Sequence, residues 1–116
     1  MRRVVVTGLG LVTPLAGSVN KSWDKLINSE SGIGPINGFD VEDLPAKIAG
    51  HVPNIEQEDG FDPNRCLEIK EQRKVDRFIL FAIDAADQAI KDSKWTAESE
   101  EDAFRSGVLI GSGIGG

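Results

Sequence analysis

One cysteine, one histidine and no long apolar run mark what this 116-residue sequence has least of. Cys66 alone cannot form an internal disulfide, and His51 alone cannot supply the several ligands that a structural zinc site needs. The apolar run that follows Met1-Arg2-Arg3 is interrupted at Thr7-Gly8, too short for a signal peptide, and no other stretch spans a bilayer; the reading is a cytosolic protein. Basic charge is also scarce. Thirteen Lys and Arg against nineteen Asp and Glu leave a net charge of −6, which disfavours non-specific attraction to nucleic acid or anionic lipid. Neither a repeat nor a low-complexity linker divides the chain, so residues 1–116 read as one unit without an internal domain boundary.

With 40% apolar and 28% charged residues, the composition is that of a soluble globular chain. Residues 3–7 are a β-branched run closed by Gly8 and predict a buried strand. Gly8-Leu9-Gly10 then predicts a turn or bulge that continues as extended chain towards Pro14. Residues 18–28 predict a helix, with Ser18 as cap and Val19, Trp23, Leu26 and Ile27 on one apolar face. From 31 to 64 the density of Gly, Pro, Asp and Asn predicts irregular structure, with a short extended piece at 47–50.

The strongest periodicity covers residues 67–93. Val75, Ile79, Ala82, Ile83, Ala86 and Ile90 form a stripe widened by Phe78, Phe81, Ala85 and Ala89, so a largely buried helix is expected. Asp84, Asp87, Gln88 and Lys91 are left as its wet edge. The acidic residues 98–102 read as a solvated loop or helix start, and 107–110 as a second buried strand. Strands separated by helices predict an α/β protein with a mostly parallel sheet. Such strands need neighbours on both edges, so the chain reads as the N-terminal part of a longer protein.

The candidate chemistry is sparse. Thr13-Pro14 stands where a dinucleotide fingerprint starting at Gly8 needs its third glycine and a helix. Gly111, Gly113 and Gly116 satisfy the glycine spacing, but no helix or ribose-binding acid follows them in the sequence, and no P-loop lysine is present. Cys66 lacks a neighbouring base and reads as an ordinary thiol, and His51 as a structural or surface histidine. No cofactor or metal is called for. The feature above background is a basic stripe, Lys70, Arg73, Lys74 and Arg77 at i, i+3, i+4 and i+7, which share one face if the helix begins by about residue 69. Pairing with Glu71 and Asp76 is one reading of it. Steering an acidic partner at short range is the other.

Six segments in order carry a family likeness: Val4-Val5-Val6-Thr7-Gly8-Leu9-Gly10, Ser31-Gly32-Ile33-Gly34-Pro35, Phe39-Asp40, Ile48-Ala49-Gly50, Lys70-Glu71-Gln72-Arg73-Lys74-Val75-Asp76-Arg77-Phe78 and Ile110-Gly111-Ser112-Gly113-Ile114-Gly115-Gly116. Together they resemble the elongating β-ketoacyl-[acyl-carrier-protein] synthases of type II, over about their first quarter. The resemblance implies a layered thiolase-like fold and a homodimer. It also implies a decarboxylating Claisen condensation that lengthens fatty acyl chains from acyl and malonyl thioesters. In the family a cysteine carries the acyl group and two histidines assist. All three lie downstream of this region, so Cys66 and His51 inherit no catalytic role and the chain alone is expected to be inert. Lys70, Arg73 and Lys74 match residues that dock the acidic helix of acyl carrier protein, and Arg77, which departs from some relatives, is left as an auxiliary contact. Ile114, between Gly113 and Gly115, matches a residue gating the far end of the acyl pocket. The alternatives are a non-catalytic module that binds an acidic protein and, third, a nucleotide-binding turn.

Overall fold

The computed structural model describes residues 1–114. In chain order these form α1 (Val19–Ile27), β1 (Ile33–Pro35), β2 (Ile48–Gly50), a 3₁₀ turn (Pro63–Arg65), α2 (Ile69–Gln72), α3 (Arg77–Ser93) and α4 (Glu100–Phe104). The sheet is one antiparallel pair, with Ile33 opposite Gly50 and Pro35 opposite Ile48. The short extended piece expected at 47–50 is thus β2, and its partner comes from the same glycine-rich excursion.

Helix α1 starts where expected. Ser18 is in extended backbone at the cap position, although its hydroxyl makes no capping bond. The helix ends in a left-handed Ser29, with the amide of Glu30 reaching back to the Lys25 carbonyl at 3.0 Å. Its apolar face is turned outward: Trp23, Leu26 and Ile27 are exposed, and the side chain buried from α1 is Ser22. The Ser22 hydroxyl meets Thr13 Oγ1 at 2.8 Å and donates to the Ala16 carbonyl, so a polar turn at 13–17 seats the helix.

Two expected strands do not form. Val4, Val5 and Val6 are 96%, 73% and 80% exposed, and Val108 and Leu109 88% and 96%, with neither stretch in a sheet. An isolated extended run leaves its amides and carbonyls unpaired, and among the described residues nothing lies alongside to pair them. The parallel sheet expected from these runs is accordingly not assembled among the described residues. Its radius of gyration, 17.1 Å, exceeds the roughly 13 Å of a closed domain of this length.

What does pack is the region around α3. The Gly8-Leu9-Gly10 stretch, expected as a turn or bulge, instead runs across α3 so closely that a Cβ on Gly8 would overlap the Ala89 carbonyl oxygen and one on Gly10 that of Ala85. Glycine facing alanine permits this approach. The amide of Leu9 donates to Asp92 Oδ2 at 2.9 Å, and Gln88 accepts from Leu11 N and donates to Leu11 O. The buried apolar residues are few: Ala16, Phe61 and Leu80, with Phe61 edge-on to Phe81 at 5.0 Å between ring centroids.

The sequence expectation for α3 is reversed in two respects. The expected single helix over 67–93 is broken: α2 lasts one turn, Asp76 adopts extended backbone as the cap of α3, and the helix restarts at Arg77. Aspartate favours that cap position over a helix interior. The expected wet edge is also not wet throughout, since Asp84 is 3% exposed. Helix α3 turns this polar side towards the rest of the chain and leaves much of its apolar stripe only half-covered. The acidic stretch becomes α4, whose Ser99 hydroxyl accepts from the Asp102 amide as an N-cap.

Candidate functional site

Lys70 lies in the single turn of α2, Arg73 caps it, and the chain stays tightly wound through Lys74, whose amide bonds the Glu71 carbonyl at 3.0 Å. The three cations therefore remain within one turn of chain, at i, i+3 and i+4, and all are exposed. Lys74 is held by Glu71 at 2.7 Å. Lys70 and Arg73 have no ion pair among the described residues. Arg77 is separated from them by the extended residue at Asp76. Its guanidinium lies over the Phe81 ring, 5.3 Å from the centroid, and donates to the Val52 carbonyl at 3.4 Å. The expected stripe of four on one helix is thus a group of three plus one.

A part-buried polar cluster centred on the buried Asp84 was not evident from the sequence. Asp84 Oδ2 accepts from Arg65 Nη2 at 3.0 Å and from Gln88 Nε2 at 2.9 Å, and both donors also reach the Gly17 carbonyl. The cluster ties α3 to the 3₁₀ turn and to the 13–17 turn. The i, i+4 spacing of Asp84 and Gln88 is the signal the sequence offers, and a solvated helix edge has the same spacing.

Cys66 closes the 3₁₀ turn and points its sulfur at the Leu80 carbonyl, 3.5 Å away. Burial, reinforced by the negative charge of Asp84, pushes its thiol pKa up, which disfavours the thiolate that a nucleophile needs. Among the described residues no group of His, Cys, Asp and Glu has metal-binding geometry. No described helix is long and apolar enough to cross a membrane.

Ile114 is fully exposed. A groove of about 380 Å³ opens nearby between the apolar side of α3 (Phe78, Ile79, Ala82, Ile83) and Val108 and Ile110, but Ile114 does not line it. Gly115, and Gly116 with the glycine spacing it completes, lie outside the described residues.

The whole sequence, residues 1–116, matches the family described as Beta-ketoacyl synthase, N-terminal domain. The chain belongs to this family. Among curated proteins it is 50% identical over 117 residues to the 3-oxoacyl-[acyl-carrier-protein] synthase 2 of Rhizobium meliloti, covering 100% of this chain and 28% of that protein. To the synthase 2 of Coxiella burnetii it is 45% identical, covering 99% and 26%. To the putative mitochondrial 3-oxoacyl-[acyl-carrier-protein] synthase of Schizosaccharomyces pombe it is 37% identical, covering 99% and 27%. Among solved structures, the ishigamide ketosynthase/chain length factor superposes with a TM-score of 0.68 at 31% identity, over 87% of this chain and 23% of that one. The chain thus has the α/β architecture of the N-terminal part of a ketosynthase, and it spans about a quarter of the length of the curated relatives it matches. The unpaired runs at 3–7 and 107–110 are consistent with a ketosynthase segment whose sheet is larger than what these residues assemble.

Proposed function

We propose that this chain is the N-terminal part of an elongating β-ketoacyl-[acyl-carrier-protein] synthase that lengthens fatty acyl chains in the cytoplasm as a homodimer. The observation that carries this reading is the match along all 116 residues, with 37–50% identity to proteins named as such synthases. In such an enzyme a cysteine thiolate displaces the carrier thiol from an acyl thioester. Malonyl-acyl carrier protein then loses carbon dioxide, and the resulting enolate attacks the cysteine thioester, forming the new C–C bond and freeing the thiol. Neither Cys66 nor His51 takes part, and the 116 residues by themselves are inert in condensation.

The contribution of this region is docking. Lys70 and Arg73, exposed and without an ion pair among the described residues, and Lys74, paired with an exposed glutamate, offer an acidic carrier protein a compact positive turn on a chain of net charge −6. Charge of this kind acts chiefly on encounter and orientation. Ile114 is assigned to the acyl pocket on its motif alone.

The function is tested by replacing the matching segment of the Rhizobium meliloti synthase with residues 1–116. Restored elongation is expected, and a folded but inactive chimera overturns the reading. Docking is tested by titrating acyl carrier protein at low salt onto Lys70→Glu, Arg73→Glu, Lys74→Glu. Affinity should fall by about thirtyfold or more, given how strongly like-charge contacts oppose association. Unchanged affinity overturns the assignment.

A further inference from the structure

The β1–β2 hairpin, the 51–57 loop and the start of α3 enclose a cleft of about 630 Å³, lined among others by Asn37, His51, Asn54, Gln57 and Arg77. No carboxylate lines it among the described residues, and Arg77 is its one permanent charge. That charge is held in place from two sides. One guanidinium N–H bonds the Val52 carbonyl at 3.4 Å, and Cζ lies 5.3 Å from the centroid of Phe81, whose ring meets the buried Phe61 edge-on. Four of the five N–H donors remain for a ligand. Arg77 makes no ion pair among the described residues, although the chain carries six more acidic than basic groups.

A fixed guanidinium flanked by neutral amides, with no second permanent cation, suits the fork of a single carboxylate better than a multiply charged anion. The cleft has room for more than one side chain, so the carboxylate can arrive on a protein surface. Arg77 also follows the docking turn by only three residues. We propose that this cleft seats an acidic side chain of the docked carrier protein, with Arg77 as its anchor, so that the docking face continues past Lys74 onto the hairpin side of α3. This rests on the docking reading above and adds to it a second, geometrically distinct contact. Because the guanidinium is already braced, little side-chain freedom is lost when the carboxylate binds, unlike at Lys70.

The test is a titration of the full-length protein with holo-acyl carrier protein across a salt series, comparing the parent, Arg77→Gln, Arg77→Lys and the triple variant at 70, 73 and 74. Arg77→Gln should weaken binding about five- to tenfold at low salt and flatten the salt dependence. Arg77→Lys keeps the charge but loses the guanidinium fork, and should recover part of the loss. Unchanged affinity in Arg77→Gln, or a loss with the parental salt dependence, overturns the proposal. If Arg77→Gln is silent while the triple variant loses binding, the cleft assignment fails and the docking turn stands. A silent triple variant removes the docking reading itself.

Discussion

The two sides of α3 are finished to different degrees. On one side Asp84 and Gln88 are satisfied by Arg65, by Gly17 and by the backbone of residue 11, and glycines at 8 and 10 let the N-terminal chain lie directly on the helix. On the other, Phe78, Ile79, Ala82 and Ile83 face a groove, beside Val108 and Leu109 that are almost wholly exposed. The polar side is complete because its partners are in this chain. The apolar side has the composition of an interior with few neighbours to make it one. Hydrophobic residues therefore do not mark the packed side here; hydrogen-bonded polar ones do, since an unpaired buried carboxylate is too costly to leave in a native fold.

The comparison can be broken at graded strengths. Gly10→Val forces a branched side chain into the Ala85 carbonyl and should cost at least ~3 kcal/mol, because backbone cannot yield as a side chain tip does. A thermal melt within a few degrees of the parent would remove the claim that this crossing is built on glycine. Asp84→Ala strips Arg65 and Gln88 of their shared acceptor. With Arg65 half exposed, the cost should be about 2–3 kcal/mol rather than the larger figure for a fully buried pair. Urea midpoints would measure it.

Ile90→Ser, on the less covered side of the same helix, should cost under ~1 kcal/mol in this chain, because Ile90 is already more than half exposed. If it costs more than Asp84→Ala, the contrast between the two sides is wrong. The smallest effect is expected at Lys91→Ala, which removes an exposed pair with Asp87 worth ~0.5 kcal/mol or less. Thiol chemistry sharpens the picture independently. With its pKa raised, Cys66 stays protonated to higher pH than a free cysteine, so iodoacetamide should modify it more slowly at pH 8 and catch up as pH rises. Rapid alkylation at pH 8 would place the sulfur in a wetter, less acidic setting than described.

Much was legible in advance. Helix α1 and the extended piece at β2 fall where capping, turn chemistry and periodicity place them, and the ketosynthase family is readable from six motifs in register. The break at Asp76 was less so: apolar spacing continues through it, and only the aspartate, a poor interior and good cap residue, marked the restart. Asp84 and Gln88 are not separable from a wet edge in sequence, because a polar residue at helical spacing looks the same whether water or Arg65 satisfies it. The runs at 3–7 and 107–110 read as strands since β-branched composition reports suitability for a sheet, whereas pairing depends on a neighbour.

By itself the sequence determined helix α1 and the extended piece at β2, the sign and density of charge at Lys70, Arg73 and Lys74, and family membership, because backbone preference, charge and motif order reside in consecutive residues. Only the tertiary structure decided that α3 turns its polar side inward, that Gly8 and Gly10 are needed for contact rather than for a turn, and that Arg77 leaves the basic turn to brace over Phe81. Those outcomes depend on which distant group arrives to fill a hydrogen bond or a space, which no stretch of neighbouring residues specifies.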